Sequence, residues 1–429
     1  MAPRSEPAPP AFREIAAALG TPVFVYDAAV LRRRIAALEA LTRAEGIRAR
    51  YAMKACSAPL VLREMRGRGL WIDAVSGNEV LRAERAGFAM GPEPPVVLLT
   101  ADVFRDNAID VVLSRRVLPN LGSAGQIDEL AGAGYRGPIG LRVNPGFGHG
   151  HVSACDTGGP SSKHGLWIDD LTGVADRARR AGLRPVLLHA HVGSGPELEE
   201  FERNASRLLE VFARLLPDLT ECVGVNFGGG IPHRYDDAAW RPDLSALSRT
   251  LERARSELSS LAGRPIRVEI EPGRFLVAPA GTLLTRVRDL KRTRDNEKGR
   301  GMVFALVDAG FCDLVRPAMY GSYHRIEVLS ETPGPVEPIA VAGPLCESGD
   351  LFTRDAEELV RPRPLPRPRP GDLLLVRDAG AYGAVMSSNY NSVGRAPQVW
   401  WEDGRAVLMS RRETIDDLLR TECEEPIAL

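Results

Sequence analysis

The sequence predicts an α/β protein: a closed (β/α)8 TIM-type barrel over residues 30–279, then a C-terminal, mostly antiparallel β domain over 280–429. Three observations predict it. Strand-like apolar runs alternate eight times with helically spaced segments across roughly 240 residues. After about residue 279 the helical spacing gives way to strand-like runs joined by short turns. An open doubly wound sheet, the competing arrangement, carries an early glycine fingerprint that this chain lacks.

Taken in order, residues 1 to about 12 read as a disordered Pro/Ala tail. The run TPVFVY at 21–26 is a strand, and a helix starts at Asp27, whose carboxylate can cap it. Barrel strands are expected at 47–52, 70–73, 95–99, 117–121, 138–143, 186–191, 222–227 and 266–270. Helical spacing covers 123–133, 169–181 and 243–262. In the β domain the strand runs are 282–290, 302–307, 322–329, 336–341, 372–376 and 398–401. The segment RPRPLPRPRP at 361–370 cannot form a helix or an interior strand, so it reads as an exposed loop or extended connector.

A chain of 429 residues is long enough for two or three domains, and 44% hydrophobic with 26% charged residues is an ordinary soluble balance. Net charge is -1, which draws the chain to neither nucleic acid nor a membrane surface. No apolar run is long enough to span a bilayer, and prolines occupy the N-terminus where an export signal needs an apolar core, so a cytoplasmic location is expected. The six cysteines (Cys56, Cys155, Cys222, Cys312, Cys346 and Cys423) lie far apart without a CxxC pair, which suits reduced thiols. The seven histidines form no HExxH, so no metal site is expected.

The stretch IRARYAMKA, 47–55, runs a strand straight into Lys54. A lysine just past a buried strand is suited to clamping an anion or condensing with a carbonyl. In such a barrel, chemistry gathers at the C-terminal ends of the strands. Those ends carry Lys54, Asp73, Arg142, His191, the run Gly228-Gly229-Gly230, and Glu271-Pro272-Gly273-Arg274. Glycine runs can simply make tight turns, but two of them after the seventh and eighth strands mark the place where barrels hold phosphate. Ser194 can add a hydroxyl. A phosphate site, a lone lysine and an acid together are what pyridoxal 5'-phosphate requires, with Glu271 as the acid at the pyridine nitrogen and His191 against the ring.

These residues sit in motifs: YAMKA, DAVSGNE, LRVNPG, SSKHG, HAHVGSG, NFGGGI, EPGR, DAGFCDLVRPAMYGSYH, GPLCESGD and GAYGAVMSSNYNS. In that order and over nearly the whole chain, they resemble the fold type III pyridoxal-phosphate decarboxylases of the alanine racemase/ornithine decarboxylase-like fold, and within them the diaminopimelate decarboxylase branch. The resemblance implies a carboxy-lyase of amino-acid metabolism, first of all one converting meso-diaminopimelate to L-lysine in lysine biosynthesis. It implies that Lys54 carries the cofactor as a Schiff base, that His191 stacks on the ring and that Glu271 pairs with its nitrogen. Ser194, Gly230, Gly273 and Tyr382 would hold the phosphate, with Asp73 and Arg142 around the linkage. Arg274, Arg316 and Tyr320 resemble the residues that grip the substrate's far carboxylate. Cys346 resembles the acid that protonates Cα, and Glu347 the reader of the distal amine. In this family the CESGD segment serves the partner subunit's site, so a homodimer is implied. The family also joins an N-terminal strand, here within 13–29, to the β domain.

Other activities compete with this one. Related decarboxylases act on D- or L-ornithine or lysine, or on carrier-bound and secondary-metabolite amino acids. A racemase on the same cofactor would have no use for CESGD, and a silent regulatory relative would have lost the lysine or the glycine runs. The chain departs from the family pattern in His164 for a phenylalanine, in Phe311 and Cys312 within DAGFCD, and in Val393 for an arginine.

Overall fold

A computed structural model describes residues 9–91, 94–148, 157–195, 197–297 and 299–423. Residues 1–8 of the expected tail, and Cys155, lie outside these. The rest of that tail is not a tail: residues 9–12 open helix α1 (Pro9–Leu19), because Phe12, Ile15 and Ala16 recur at helical spacing and pack with Val23, Leu284 and Leu373. Strand β1 (Val23–Asp27) and helix α2 (Ala28–Leu41) follow. Asp27 caps α2 as expected, its Oδ1 accepting from the N–H groups of Ala29 at 2.8 Å and Val30 at 3.0 Å.

Two compact units emerge. One holds Arg33–Arg234 and Ala239–Leu276; the other holds the described residues up to Arg32, Tyr235–Ala238, and those from Val277 on.

The first unit is the barrel. In chain order it contains β2 (Ile47–Ala52), α3 (Pro59–Gly67), β3 (Trp71–Ala74), α4 (Gly77–Arg85), β4 (Val97–Ala101), α5 (Ala108–Arg115), β5 (Leu118–Leu121) and α6 (Gly125–Gly132). Then come β6 (Pro138–Asn144), β7 (Leu166–Trp167), α7 (Leu171–Arg180), β8 (Arg184–His189), α8 (Leu198–Leu215), β9 (Gly224–Asn226), α9 (Ser245–Ala262) and β10 (Arg267–Ile270). Strands pair in parallel in the order β2, β3, β4, β5, β6, β8, β9, β10, and β10 returns to β2. The two-residue β7, not foreseen, adds outside the ring on β6. Strands such as β4 are buried along their whole length, which explains their near-continuous apolar sequence. On α9, Leu247, Leu251, Ala254 and Leu258 form the buried stripe, and Gly263 ends the helix in a left-handed conformation at φ 64°.

Helix α10 (Arg274–Val277) leads into the second unit. Its elements are β11 (Gly281–Arg292), β12 (Val303–Val307), α11 (Arg316–Tyr320), β13 (Ile326–Leu329), β14 (Val336–Ala342), β15 (Arg363–Pro366), β16 (Leu373–Val376), β17 (Gln398–Glu402), β18 (Arg405–Ser410) and α12 (Ile415–Leu419). The sheet order is β15-β14-β12-β11-β1-β17-β18, with β16 joining β11 to β13. Only β1–β17 and β12–β14 run parallel among its named pairs. The proline-rich segment is therefore only partly a connector: β15 pairs with β14 along one side as an edge strand. Odd-numbered residues face β14, as the Arg367 N–H shows by bonding the Pro335 carbonyl at 3.0 Å, and prolines fill the even positions.

Inside the barrel, Arg50 on β2 and Glu269 on β10 are both fully buried and meet at 2.5 Å. The guanidinium also donates to the carbonyls of Pro95 and Val96 at 3.0 Å, and Arg267 gives Glu269 a second cation at 2.6 Å. Burial alone would raise the Glu269 carboxyl, but these cations hold it below its ordinary value. Arg50→Met strands part of that charge in the core, so unfolding in urea should show a loss of about 3–5 kcal/mol, with the Arg50→Met/Glu269→Leu double variant recovering much of it.

Candidate active site

Parallel pairing turns alternate residues of each strand inward, and registry then decides which of them meet. Asp73, Thr100, Asn120, Arg142, His189, Asn226 and Glu271 fall on that inward face at the C-terminal end. All seven are buried. The Thr100 hydroxyl donates to Asp73 at 2.6 Å, and the Asn120 amide donates to Thr100 at 3.2 Å. Across the barrel, Glu271 Oε1 accepts from the Asn226 amide at 2.7 Å, and its Oε2 lies 3.1 Å from His189 Nε2.

The expected site residues of this unit lie around that floor. Lys54 is in the single turn after β2 and is exposed, while its neighbours Met53 and Ala55 are buried. Its ammonium acts electrostatically on Asp73, Glu271 and His191. Burial and the Glu271 charge push the Asp73 carboxyl up, against the pull of Lys54 and Thr100. Burial would raise Glu271 as well, but His189 and Lys54 outweigh it and hold Glu271 ionised. Burial lowers Arg142, and Asp102, Glu271 and Asp73 oppose that loss of charge.

Strand β8 ends at His189, so His191 lies two residues beyond it, where the expected strand had included it. Burial, then Lys54 and Arg142, keep the His191 imidazole neutral, and its buried Nδ1 has no hydrogen-bond partner among the described residues. Gly193 and half-buried Ser194 follow in the same loop. Gly228 and Gly229 continue the turn after β9. Gly230 has φ 130°, and a Cβ there would stand 2.8 Å from the Phe201 ring and 2.9 Å from the Gly193 carbonyl. A Cβ at Gly273 would press on Ala52 and Ala55 at 3.2 Å, so the EPGR turn lies directly against the strand that leads to Lys54. Arg274 follows as the half-buried first residue of α10.

The remaining expected residues belong to the sheet unit. Arg316 is buried at the start of α11 and half-buried Tyr320 ends it. Cys346 and Glu347 are exposed, and the Cys346 N–H donates to Asn391 Oδ1 at 3.2 Å. Asp350, the last residue of CESGD, is buried and accepts from the N–H groups of Phe311 at 2.7 Å and Leu345 at 2.8 Å, which pins the loop. Tyr382 takes φ 57°, unusual for a residue with a side chain and a mark of local strain. Among the departures, Phe311 packs on Tyr390 at 5.3 Å, and the His164 ring lies 2.5 Å from Asp102. Cys312 is buried beside Asp313, its thiol pushed up to about 12. Half-buried Val393 is followed by Arg395, which pairs with Glu413 at 3.0 Å.

His189, Asn226 and Thr100 were not foreseen. A signal existed for two of them: His189 and Asn226 each stand two residues before an expected site residue, His191 and Gly228, in step with the two-residue period of a strand.

A group whose folded-state pKa is depressed contributes stability above its ordinary pKa, 4.5 for Glu271, and loses it as pH falls below that value. Wild type should therefore exceed Glu271→Gln in urea-unfolding stability at pH 7, and the gap should shrink at pH 3.5. A gap unchanged with pH would mean that Glu271 is not held ionised.

The comparisons with known proteins agree with this geometry. Residues 28–278 match the family model "Pyridoxal-dependent decarboxylase, pyridoxal binding domain". The chain is 41% identical to the diaminopimelate decarboxylase of Escherichia coli (strain K12) over 411 residues, covering 95% of this chain and 94% of that one. With the diaminopimelate decarboxylase of Streptomyces coelicolor it shares 40% identity, covering 98% and 93% of the two chains. A crystal structure of a diaminopimelate decarboxylase superposes with a TM-score of 0.89 at 39% identity, covering 98% of each chain. The Helicobacter pylori diaminopimelate decarboxylase complexed with L-lysine superposes with a TM-score of 0.83 at 26% identity, covering 96% of this chain and 99% of that one. The chain belongs to the pyridoxal-dependent decarboxylases, carboxy-lyases built on this barrel.

Proposed function

We propose that the protein removes the carboxylate from one end of meso-diaminopimelate to give L-lysine, using pyridoxal 5'-phosphate. The observation that carries the reading is Glu271: a carboxylate held ionised at the mouth of the barrel by His189 and Asn226, in electrostatic reach of Lys54. The residues fit that cofactor. An amine for its carbonyl, a neutral ring for its face, an anion for its nitrogen and two closely packed glycine turns for its phosphate lie on one barrel end. The near-full-length relatives that carry the name diaminopimelate decarboxylase favour the substrate.

When bound, the cofactor supplies a carbonyl that condenses with amines and a ring that takes up the electron pair left when the Cα–carboxylate bond breaks. The chain's own groups do the rest. Lys54 uses its amine as nucleophile and yields its place to the substrate amine. Glu271 holds a proton at the pyridine nitrogen, the electrostatic contribution on which charge uptake depends. Neutral His191 covers one ring face without adding a competing cation. Asp73 and Arg142 fix the surroundings of the linkage, and Ser194, the 228–230 turn, Gly273 and Tyr382 take the phosphate. Arg274, Arg316 and Tyr320 grip the carboxylate that stays. Cys346 donates the proton to Cα, and Glu347 reads the distal amine. Exposure of both residues in the single chain suits service to a partner subunit's site, hence a homodimer with shared sites.

Carbon dioxide release should favour meso-diaminopimelate over L- and D-lysine, L- and D-ornithine and arginine by at least about a hundredfold in kcat/KM. A different winner overturns the substrate. Lys54→Ala should abolish the borohydride-sensitive absorbance of the holoenzyme, and an unchanged response would remove Lys54 from its role. Cys346→Ala should slow turnover while retaining cofactor. Mixing it with Lys54→Ala and allowing subunits to exchange should restore about a quarter of wild-type activity, since half the dimers then hold one intact site. No restoration would place Cys346 in its own subunit's site.

A further inference from the structure

The motif RPAMYGSYH, 316–324, places Arg316 at the head of a short helix and turns back on itself within nine residues. Gly321, at φ 60°, makes the reversal, and a Cβ there would meet the Ala356 nitrogen at 2.2 Å. The chain then returns beneath the arginine. The Ser322 N–H bonds the Arg316 carbonyl at 3.3 Å, and the Ser322 hydroxyl accepts from Arg316 Nη2 at 3.1 Å. His324, fully buried, comes next on that side.

The hydrogen bonds of His324 fix its tautomer. Nδ1 lies 3.0 Å from the Arg377 carbonyl, which can only accept, so Nδ1 carries the hydrogen. Nε2 is then left with a lone pair, and it faces Arg316 Nη1 at 3.4 Å. The same Nη1 donates to the Tyr235 hydroxyl at 2.8 Å. The Tyr235 ring lies under the guanidinium at 5.0 Å and meets the His324 ring edge-on at 5.1 Å. The backbone of His324 is also held, its carbonyl accepting from Arg363.

We infer that His324, with Tyr235, is a positioning residue for substrate recognition: a neutral, single-tautomer imidazole that sets the plane and reach of Arg316. The inference rests on Arg316 gripping the carboxylate that meso-diaminopimelate keeps and L-lysine retains. A planar guanidinium recognises a carboxylate through paired donors, so a small tilt forfeits affinity without touching the bond-breaking step. His324 therefore acts on binding of one end of the substrate, and nothing in the proposed chemistry at Lys54 or Cys346 passes through it.

The test compares His324→Phe, His324→Gln, Tyr235→Phe and Arg316→Ala holoenzymes with wild type. His324→Phe should raise KM for meso-diaminopimelate about tenfold or more, with kcat changed less than about threefold. Competitive inhibition by L-lysine should weaken in parallel, whereas inhibition by 1,5-diaminopentane, which has no carboxylate, should not change. His324→Gln, which can return an acceptor to the place of Nε2, should recover most of the KM. Should His324→Phe fail to fold by thermal melting, Tyr235→Phe removes one acceptor at nearly constant shape and should show the same selective loss, smaller in size. Equal weakening of both inhibitors, or a fall in kcat at constant KM, overturns the inference. If Arg316→Ala itself leaves KM and L-lysine inhibition unchanged, the role of Arg316 fails instead. If Arg316→Ala weakens both while the His324 and Tyr235 variants do not, only the positioning role fails.

Discussion

A buried carboxylate must be compensated or neutralised, and this barrel is arranged around compensating two of them, one on its last strand and one just past that strand's end. Glu269 on β10 and Glu271, one residue past its end, stand two residues apart and are both buried on the same inward face. Glu269 takes its charge balance from Arg50 and Arg267, towards the base of the strand. Glu271 takes its balance from His189, with Asn226 donating to both carboxylates. Isolated charges of this kind would cost several kcal/mol each in a low-dielectric interior. Their partners come from β2, β8 and β9, so the charges are satisfied only when the ring of strands is complete and in register. Closure of the fold and the ionisation state of the site are one condition.

The interior is consequently graded along the strands. Leu98, Leu118 and Leu187 pack as an apolar layer, and two residues further along their strands come Thr100, Asn120 and His189. That two-residue step from leucine to hydrogen-bonding side chain carries the inward face from packed core to chemical floor. On the floor, Asp73, Thr100 and Asn120 are tied to one another across strands, and so are His189, Asn226 and Glu271. Of the groups proposed to touch the cofactor, Lys54, His191 and the glycines at 228–230 and 273 lie on turns just beyond the strands of this floor.

Much of this was legible in the chain. Lys54, Asp73, Glu271 and the glycine runs punctuate apolar runs, and the step from apolar to charged or glycine marks a strand end without any knowledge of pairing. Strand β2 was read with its observed bounds for that reason. His189 was legible only as a residue sharing a strand face with His191, and its role was not, because within LLHAHV it reads as the tail of a buried strand. Its value comes from Glu271, 82 residues away, and only strand pairing brings the two together. Tyr235 is a similar case, since nothing in HRYDD announces a partner at Arg316. Helix α1 was hidden by its prolines, which suggested disorder although Phe12, Ile15 and Ala16 were already spaced for one face. Strand β18 was missed because RAVLMS is largely exposed and its partner β17 alone gives it a sheet.

The alternating prolines of β15 have a consequence for how the molecule meets its neighbours. Odd-numbered residues turn their amides towards β14, while Pro364 and Pro366 occupy the positions whose amides would point away from the sheet. That outward border offers carbonyl oxygens but no donors, so a strand from another molecule cannot zip along it. The sheet is sealed at this end by the chemistry of an imino acid, and its growth into a fibre-like stack is blocked without spending a helix or a loop to cover it.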